Sequence, residues 1–150
     1  MRMPSSVSTI LACSLALLSV LAFGCKSGPV LEPVEGTVLH KGNAASGVVV
    51  TFHLKGSDPV TAIRPVGRTD ADGKFTLMTG RDSGAQAGEY VVTFIWPKEV
   101  ADKKKGKVFD TSAHPETVDF FDGALVDAAR SKFTAVIKRG ENKLEPFRLD

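Results

Sequence analysis

Gly88-Glu89-Tyr90-Val91-Val92-Thr93-Phe94-Ile95-Trp96 is the stretch whose reading decides the fold. From Tyr90 to Trp96 every residue is aromatic or β-branched, the side chains that suit a pleated, half-buried surface. Alternation puts Tyr90, Val92, Phe94 and Trp96 on one face, which predicts a strand with that face in the core. Pro97 ends it. A strand this apolar needs partners, and the flanking sequence supplies them.

Upstream, Val34-Glu35-Gly36-Thr37-Val38-Leu39 reads as a first strand, turned by His40-Lys41-Gly42-Asn43. Val48 to Leu54 follows, with Val48, Val50, Phe52 and Leu54 inward and Thr51, His53 and Lys55 outward. A third strand is predicted from Ala62 to Thr69, with Pro65 pushing it to a sheet edge. Asp70-Ala71-Asp72-Gly73 then predicts a hairpin turn, since Asp-Gly supplies positive φ angles. Phe75 and Leu77 point inward on the next strand. Downstream of Pro97 the chain reads as irregular to about Phe121, and Leu125 to Ala129 suits one helical turn. Phe133-Thr134-Ala135-Val136-Ile137 returns to strand, Gly140-Glu141-Asn142 is a turn, and Leu144 to Leu149 is a last strand broken at Pro146. Short apolar strands separated by Gly, Asp, Asn and Pro predict an all-β sandwich of seven strands rather than βαβ units.

The chain has 150 residues, 19 Lys plus Arg against 17 Asp plus Glu, and two cysteines. That length suits one domain. The formal charge of +2, with one Trp and one Tyr, argues against a phosphate-backbone binder or a base-stacking platform. Residues 1–24 differ from the rest: Arg2 is their one charged side chain, and an uncharged run extends from Val7 to Phe23. This is the pattern of a secretory signal peptide, with a retained transmembrane anchor as the competing reading. Its densest part, Ile10 to Phe23, is shorter than the roughly 20 apolar residues that span a bilayer.

The leader ends Leu21-Ala22-Phe23-Gly24-Cys25, which resembles a bacterial lipobox. The resemblance implies that Cys25 is lipidated, with acyl chains such as palmitate, and becomes the mature N-terminus of a lipoprotein. Cys13 would leave with the leader, so lipidation also accounts for a lone cysteine in an oxidising compartment. The expected organisation is a signal peptide at 1–24, lipidated Cys25 with a linker to residue 33, and a domain at 34–150.

Within that domain, Val34-Glu35-Gly36-Thr37-Val38, Gly47 to Phe52, Thr69-Asp70-Ala71-Asp72-Gly73-Lys74-Phe75-Thr76-Leu77 and Ala87-Gly88-Glu89-Tyr90-Val91-Val92-Thr93 together resemble a carboxypeptidase regulatory-like domain. Phe133 to Val136 and Gly140 to Leu144 match the version in small lipoproteins of Planctomycetes type. The resemblance implies a Greek-key sandwich of prealbumin or transthyretin type, an accessory module without catalytic residues or cofactor. The sequence alone assigns Gly73 to a turn, Phe75 to the core and Tyr90 to a corner where its hydroxyl bonds backbone.

The remaining chemistry is sparse. Asp70 to Gly73 lacks the acidic ligands of an EF-hand, with Arg68 at the first position and Thr79 at the twelfth. His40, His53 and His114 have no zinc spacing. No Gly-x-Ser-x-Gly elbow surrounds Ser83. Tyr90 is the one tyrosine, which does not meet the two tyrosines of an intradiol dioxygenase, and Phe147-Arg148-Leu149-Asp150 is not the hydroxyisourate hydrolase ending. Lys103, Lys104, Lys105 and Lys107 form the one charge cluster, read as a solvated loop or as a contact for anionic lipid heads or cell-wall polymer. The leading expectation is a non-catalytic, lipid-anchored β-sandwich on the periplasmic or outer face of an envelope membrane. Its partners would be that membrane, envelope proteins or polysaccharide, and not nucleic acid. A carbohydrate-binding module is the alternative, with Phe109, Phe120 and Phe121 as candidate sugar platforms because Trp96 and Tyr90 fall on the core face.

Overall fold

The structure is a computed structural model and describes residues 28–99 and 117–150. Cys25, His114, Phe109 and Lys103, Lys104, Lys105 and Lys107 lie outside the described residues. The strands are β1 (Leu31–Glu32), β2 (Val34–His40), β3 (Asn43–Ala44), β4 (Val49–Leu54), β5 (Val66–Arg68), β6 (Lys74–Thr76), β7 (Met78–Thr79) and β8 (Asp82–Ser83). There follow β9 (Ala85–Gln86), β10 (Gly88–Ile95), β11 (Pro97–Glu99), β12 (Thr117–Asp119), β13 (Phe133–Ile137), β14 (Asn142–Lys143) and β15 (Phe147–Arg148). No helix occurs among the described residues, which are all-β, as their short apolar runs predict.

β10 is the spine of a six-stranded antiparallel sheet ordered β13-β10-β4-β5-β7-β8. Its register pairs Tyr90 with Ala135 on one side and Leu54 on the other. A second sheet gathers around β2, which pairs antiparallel with β3 and β6 and parallel with β14 and β15. The two sheets bury one core. Val50, Phe52, Tyr90, Val92 and Phe94 come from the first, and Val34, Val38, Phe75 and Phe147 come from the second. Phe147 packs its ring against Phe52 and Phe94 across the core and against Phe75 on its own side.

Several local expectations are met. Val48, Val50 and Phe52 are buried while Thr51 and His53 turn to the outer face. Lys41 and Gly42 take φ of 50° and 78°, the two-residue reversal that joins β2 to β3. The Tyr90 hydroxyl donates to the Gln86 carbonyl at 2.7 Å.

Others are corrected. Ala62 to Thr69 yields strand only at β5, and β5 lies inside the sheet, paired with β4 and β7. Pro65 precedes it, where no ladder donor is needed, and its carbonyl accepts from Phe52 N at 2.9 Å. The Asp70–Gly73 reversal is present but makes no hairpin between its flanking strands, because β5 joins the first sheet and β6 joins β2. Gly73 carries the crossing: at φ 73°, a Cβ there would stand 2.6 Å from the Val38 carbonyl oxygen. Trp96 lies just past the end of β10 and is only partly buried, packed against the edge of the core. Past Pro97 the chain stays extended as β11, paired with β12. Leu125 to Ala129 forms turns without a helix, since Leu125 O is taken by Phe94 N from β10 at 2.9 Å. The expected last strand, Leu144 to Leu149, is strand only at β15, just past Pro146, and a separate short strand, β14, starts within the expected turn at Asn142. Pairing also begins at β1, inside the expected linker, with Leu31 opposite Gln86.

Candidate functional site

A cleft of about 550 Å³ opens where β4 and β10 meet the loop between β4 and β5. Its wall is built from the first turn of that loop. Asp58 organises it, accepting from Val60 N at 2.8 Å and Thr61 Oγ1 at 2.9 Å, while Ala62 N donates back to Asp58 O at 3.1 Å. The bonds from Val60 and Thr61 to its carboxylate hold the Asp58 carboxyl below its usual pKa. The fixed turn carries Pro59, Ile63 and Arg64 to the opening, facing Leu31 of β1. Apolar lining with a few placed polar groups is the usual composition of a ligand cleft.

His53 lies on the floor, where the β4 alternation turns it away from the core. Its Nε2 is 2.8 Å from Thr93 Oγ1 on the neighbouring β10. Partial burial, and secondarily the Arg64 guanidinium, pushes its pKa below the ordinary histidine value. The ring is therefore a neutral polar group at physiological pH. Tyr90 lines the same cleft from the core side, and burial raises its pKa.

His40 sits elsewhere. Its ring meets Trp96, Phe120 and Phe121 edge-on at centroid distances of 5.5, 5.3 and 5.6 Å. Its Nδ1 bonds the Leu149 carbonyl, and because a carbonyl can only accept, that nitrogen carries the proton. Trp96 donates its indole N–H to Ser46 O at 2.9 Å and lies 4.7 Å from Phe120, with Lys98 Nζ 5.4 Å above the Phe120 ring. Asp119 ties this cluster together, accepting from Trp96 N and Gly123 N. So His40 and His53 occupy separate environments, and each has a structural partner.

Asp70 is likewise occupied by its own turn, its Oδ1 accepting from Asp72 N and Lys74 N, both at 2.9 Å. Among the described residues no group of three or more His, Cys, Asp or Glu is placed to hold a metal ion. No helix among them is long and apolar enough to cross a membrane.

Ser57 to Thr61 carry no motif in the sequence, and Ala62 to Arg64, expected as strand, belong instead to the loop before β5. The loop's signal was present in Val60, a β-branched residue in a Ser-Asp-Pro turn that no strand register asks for, while Ile63 was absorbed into the strand expected from Ala62 to Thr69. Comparison with known protein families gives no match. Comparison with curated proteins gives none either.

Proposed function

We propose that the chain is a non-catalytic, lipid-anchored module of the cell envelope, structural or ligand-binding, with Cys25 as the lipid-bearing residue. The fold is read as a seven-stranded Greek-key sandwich of transthyretin type, resembling a carboxypeptidase regulatory-like domain. One observation carries the reading: pairing begins at Leu31, six positions after Cys25, and the first strand is locked in place. Leu31 pairs with Gln86, and Glu32 Oε2 accepts from Gly140 N at 2.8 Å. A fold fastened this close to its tether holds the cleft beside the membrane. His40, His53, Tyr90 and Asp70 are engaged in structural hydrogen bonds, which supports a binding role over a catalytic one. The lysine cluster at Lys103, Lys104, Lys105 and Lys107 would add affinity for anionic lipid or polymer.

Cys25→Ala tests the anchor. The variant should move from the detergent phase to the aqueous phase, and unchanged partitioning would sink the reading.

A carbohydrate-binding role is the second reading, favoured by the position of Trp96 beside Phe120, which is 40% exposed. Binding to polysaccharide that Phe120→Ala abolishes would support it, and a glycan array without hits would remove it.

A further inference from the structure

The three most exposed large apolar side chains among the described residues are Val60 at 88%, Val30 at 74% and Ile63 at 74%. One lines the cleft and the other two stand next in sequence to residues that line it. Ile63 lines the cleft beside His53, Val60 follows the lining residue Pro59, and Val30 stands between the lining residues Pro29 and Leu31. Large apolar side chains left exposed around one opening mark a protein or membrane contact. No turn geometry requires it: Asp58 makes the turn, and Val60 contributes only its backbone N–H.

The charges at the rim narrow the choice. Arg64 is exposed, and among the described residues it has no carboxylate within ion-pair distance. Lys55 is already paired with Glu89 at 3.1 Å. The Asp58 carboxylate is turned onto its own loop, and Asp82 is the one acid of the lining. The Arg64 guanidinium donates Nη2 to the Pro59 carbonyl, which holds it on the loop while its charge stays without a carboxylate partner among the described residues. Aliphatic side chains beside such a cation suit the boundary of a phospholipid bilayer, where the stems enter the acyl region and the cation meets phosphate.

Chain length then selects the bilayer as occupant, and this step rests on the reading of Cys25 as lipid-bearing. Val30 follows Cys25 by five positions, at most about 18 Å of extended chain. A lipid at Cys25 therefore keeps the rim within reach of the headgroups permanently. Under such a tether the contact is intramolecular, so a few apolar side chains suffice to hold it closed.

We propose that Val30, Val60, Ile63 and Arg64 form a second membrane contact that seats this end of the domain on phospholipid. The end carrying His40 and Trp96 then points away, since β10 runs eight residues from Gly88 to Ile95, roughly 25 Å.

Intrinsic fluorescence tests this, because Trp96 is the one tryptophan of the chain. In a Trp96→Phe background, Ile63→Trp and Ile95→Trp each place an indole at an exposed apolar position, one at the rim and one at the far end of β10. The mature anchored protein is reconstituted in phosphatidylglycerol–phosphatidylethanolamine vesicles with acyl-brominated lipid. Quenching should be several-fold stronger at position 63 than at position 95, and adding Val60→Asp should reduce it while leaving the thermal midpoint in place. Equal quenching at the two positions would overturn the contact. The anchor is read separately, from the mass of the mature N-terminus. Should Cys25 carry no lipid, the processed protein in excess vesicles must still show preferential quenching at position 63, or the contact fails on its own.

Discussion

His53 shows how one side chain's position sets a measurable property. Alternation along β4 turns it outward, yet Thr93 beside it is buried and the Ser57–Arg64 loop covers it, so the ring is partly desolvated. Burial first, and Arg64 second, lower its pKa below the ordinary value of about 6.5. In the unfolded chain His53 binds its proton near that ordinary value, whereas the folded ring stays neutral to lower pH. The unfolded state thus holds more protons in this window. Stability from His53 is present above about pH 6.5 and declines as pH falls toward the folded pKa. Asp58, with a depressed carboxyl pKa, adds its own loss only further down, below its ordinary value near 3.8. Denaturant midpoints measured between pH 7.5 and 5 should therefore fall for the native chain and fall less for His53→Gln. Equal slopes would mean that the fold does not discriminate against the imidazolium.

Asn142 carries the corresponding argument for an element. Gly140-Glu141-Asn142 reads as a turn, and it is one, with Gly140 at φ 93°. The asparagine nonetheless opens β14 and is buried. Its Oδ1 accepts from Lys138 N, and its Nδ2 donates to the carbonyls of Lys138 and Gly140, both at 2.8 Å, with Pro33 O at 3.4 Å. One side chain thereby closes the turn and aligns β14 with β2, where Asn142 lies opposite Val34. Each backbone group left unpaired in a buried site costs about 1–3 kcal/mol. Asn142→Ala should lose at least that much in a urea titration. Asn142→Asp keeps the shape but offers acceptors to a ring of carbonyls, so it should lose as much. If the aspartate variant matches the native chain, shape rather than hydrogen bonding fixes this turn.

For the whole molecule, what could be read from sequence follows from which forces are local. Strand alternation is local, so the faces of β4, β10 and β13 were legible from Val48, Phe94 and Ala135 outward. Turn chemistry is local too, which is why Gly42 and Gly73 stand where expected. The choice of partner strand is not. Nothing within Asp70 to Leu77 announces that the chain changes sheets there, because the reason is the Val38 carbonyl lying against Gly73. Trp96 continued the alternation of β10 in sequence, but its backbone N–H goes to Asp119, 23 positions away. The cleft depended on the same kind of distant placement, with Leu31 lining it together with Ser57 and Arg64, and no short window of sequence contains both.

One core and one end cluster raise the question of whether the molecule unfolds as a unit. Phe147 is the hinge of the core: its ring stands 6.3 Å from Phe52 and Phe75, 5.4 Å from Phe94 and 6.2 Å from Phe133. Phe147→Ala therefore empties a space that both sheets border, which costs about 3–5 kcal/mol, a large share of the 5–15 kcal/mol typical of a domain. Phe120 is partly exposed and packs chiefly on other rings of the end cluster, so Phe120→Ala should cost about 1 kcal/mol, the scale of an aromatic pair. The cluster is also tied to the turn between β3 and β4 by the Trp96 indole bond to Ser46, and to the chain just past β15 by the His40 bond to the Leu149 carbonyl. Trp96 fluorescence reports the cluster, and far-UV circular dichroism reports the strands. Their guanidinium transitions should coincide in the native chain and remain coincident, at a lower midpoint, in Phe147→Ala. A fluorescence transition that runs ahead of the dichroism would show instead that the aromatic end melts separately, with the core held by the Phe147 contacts alone.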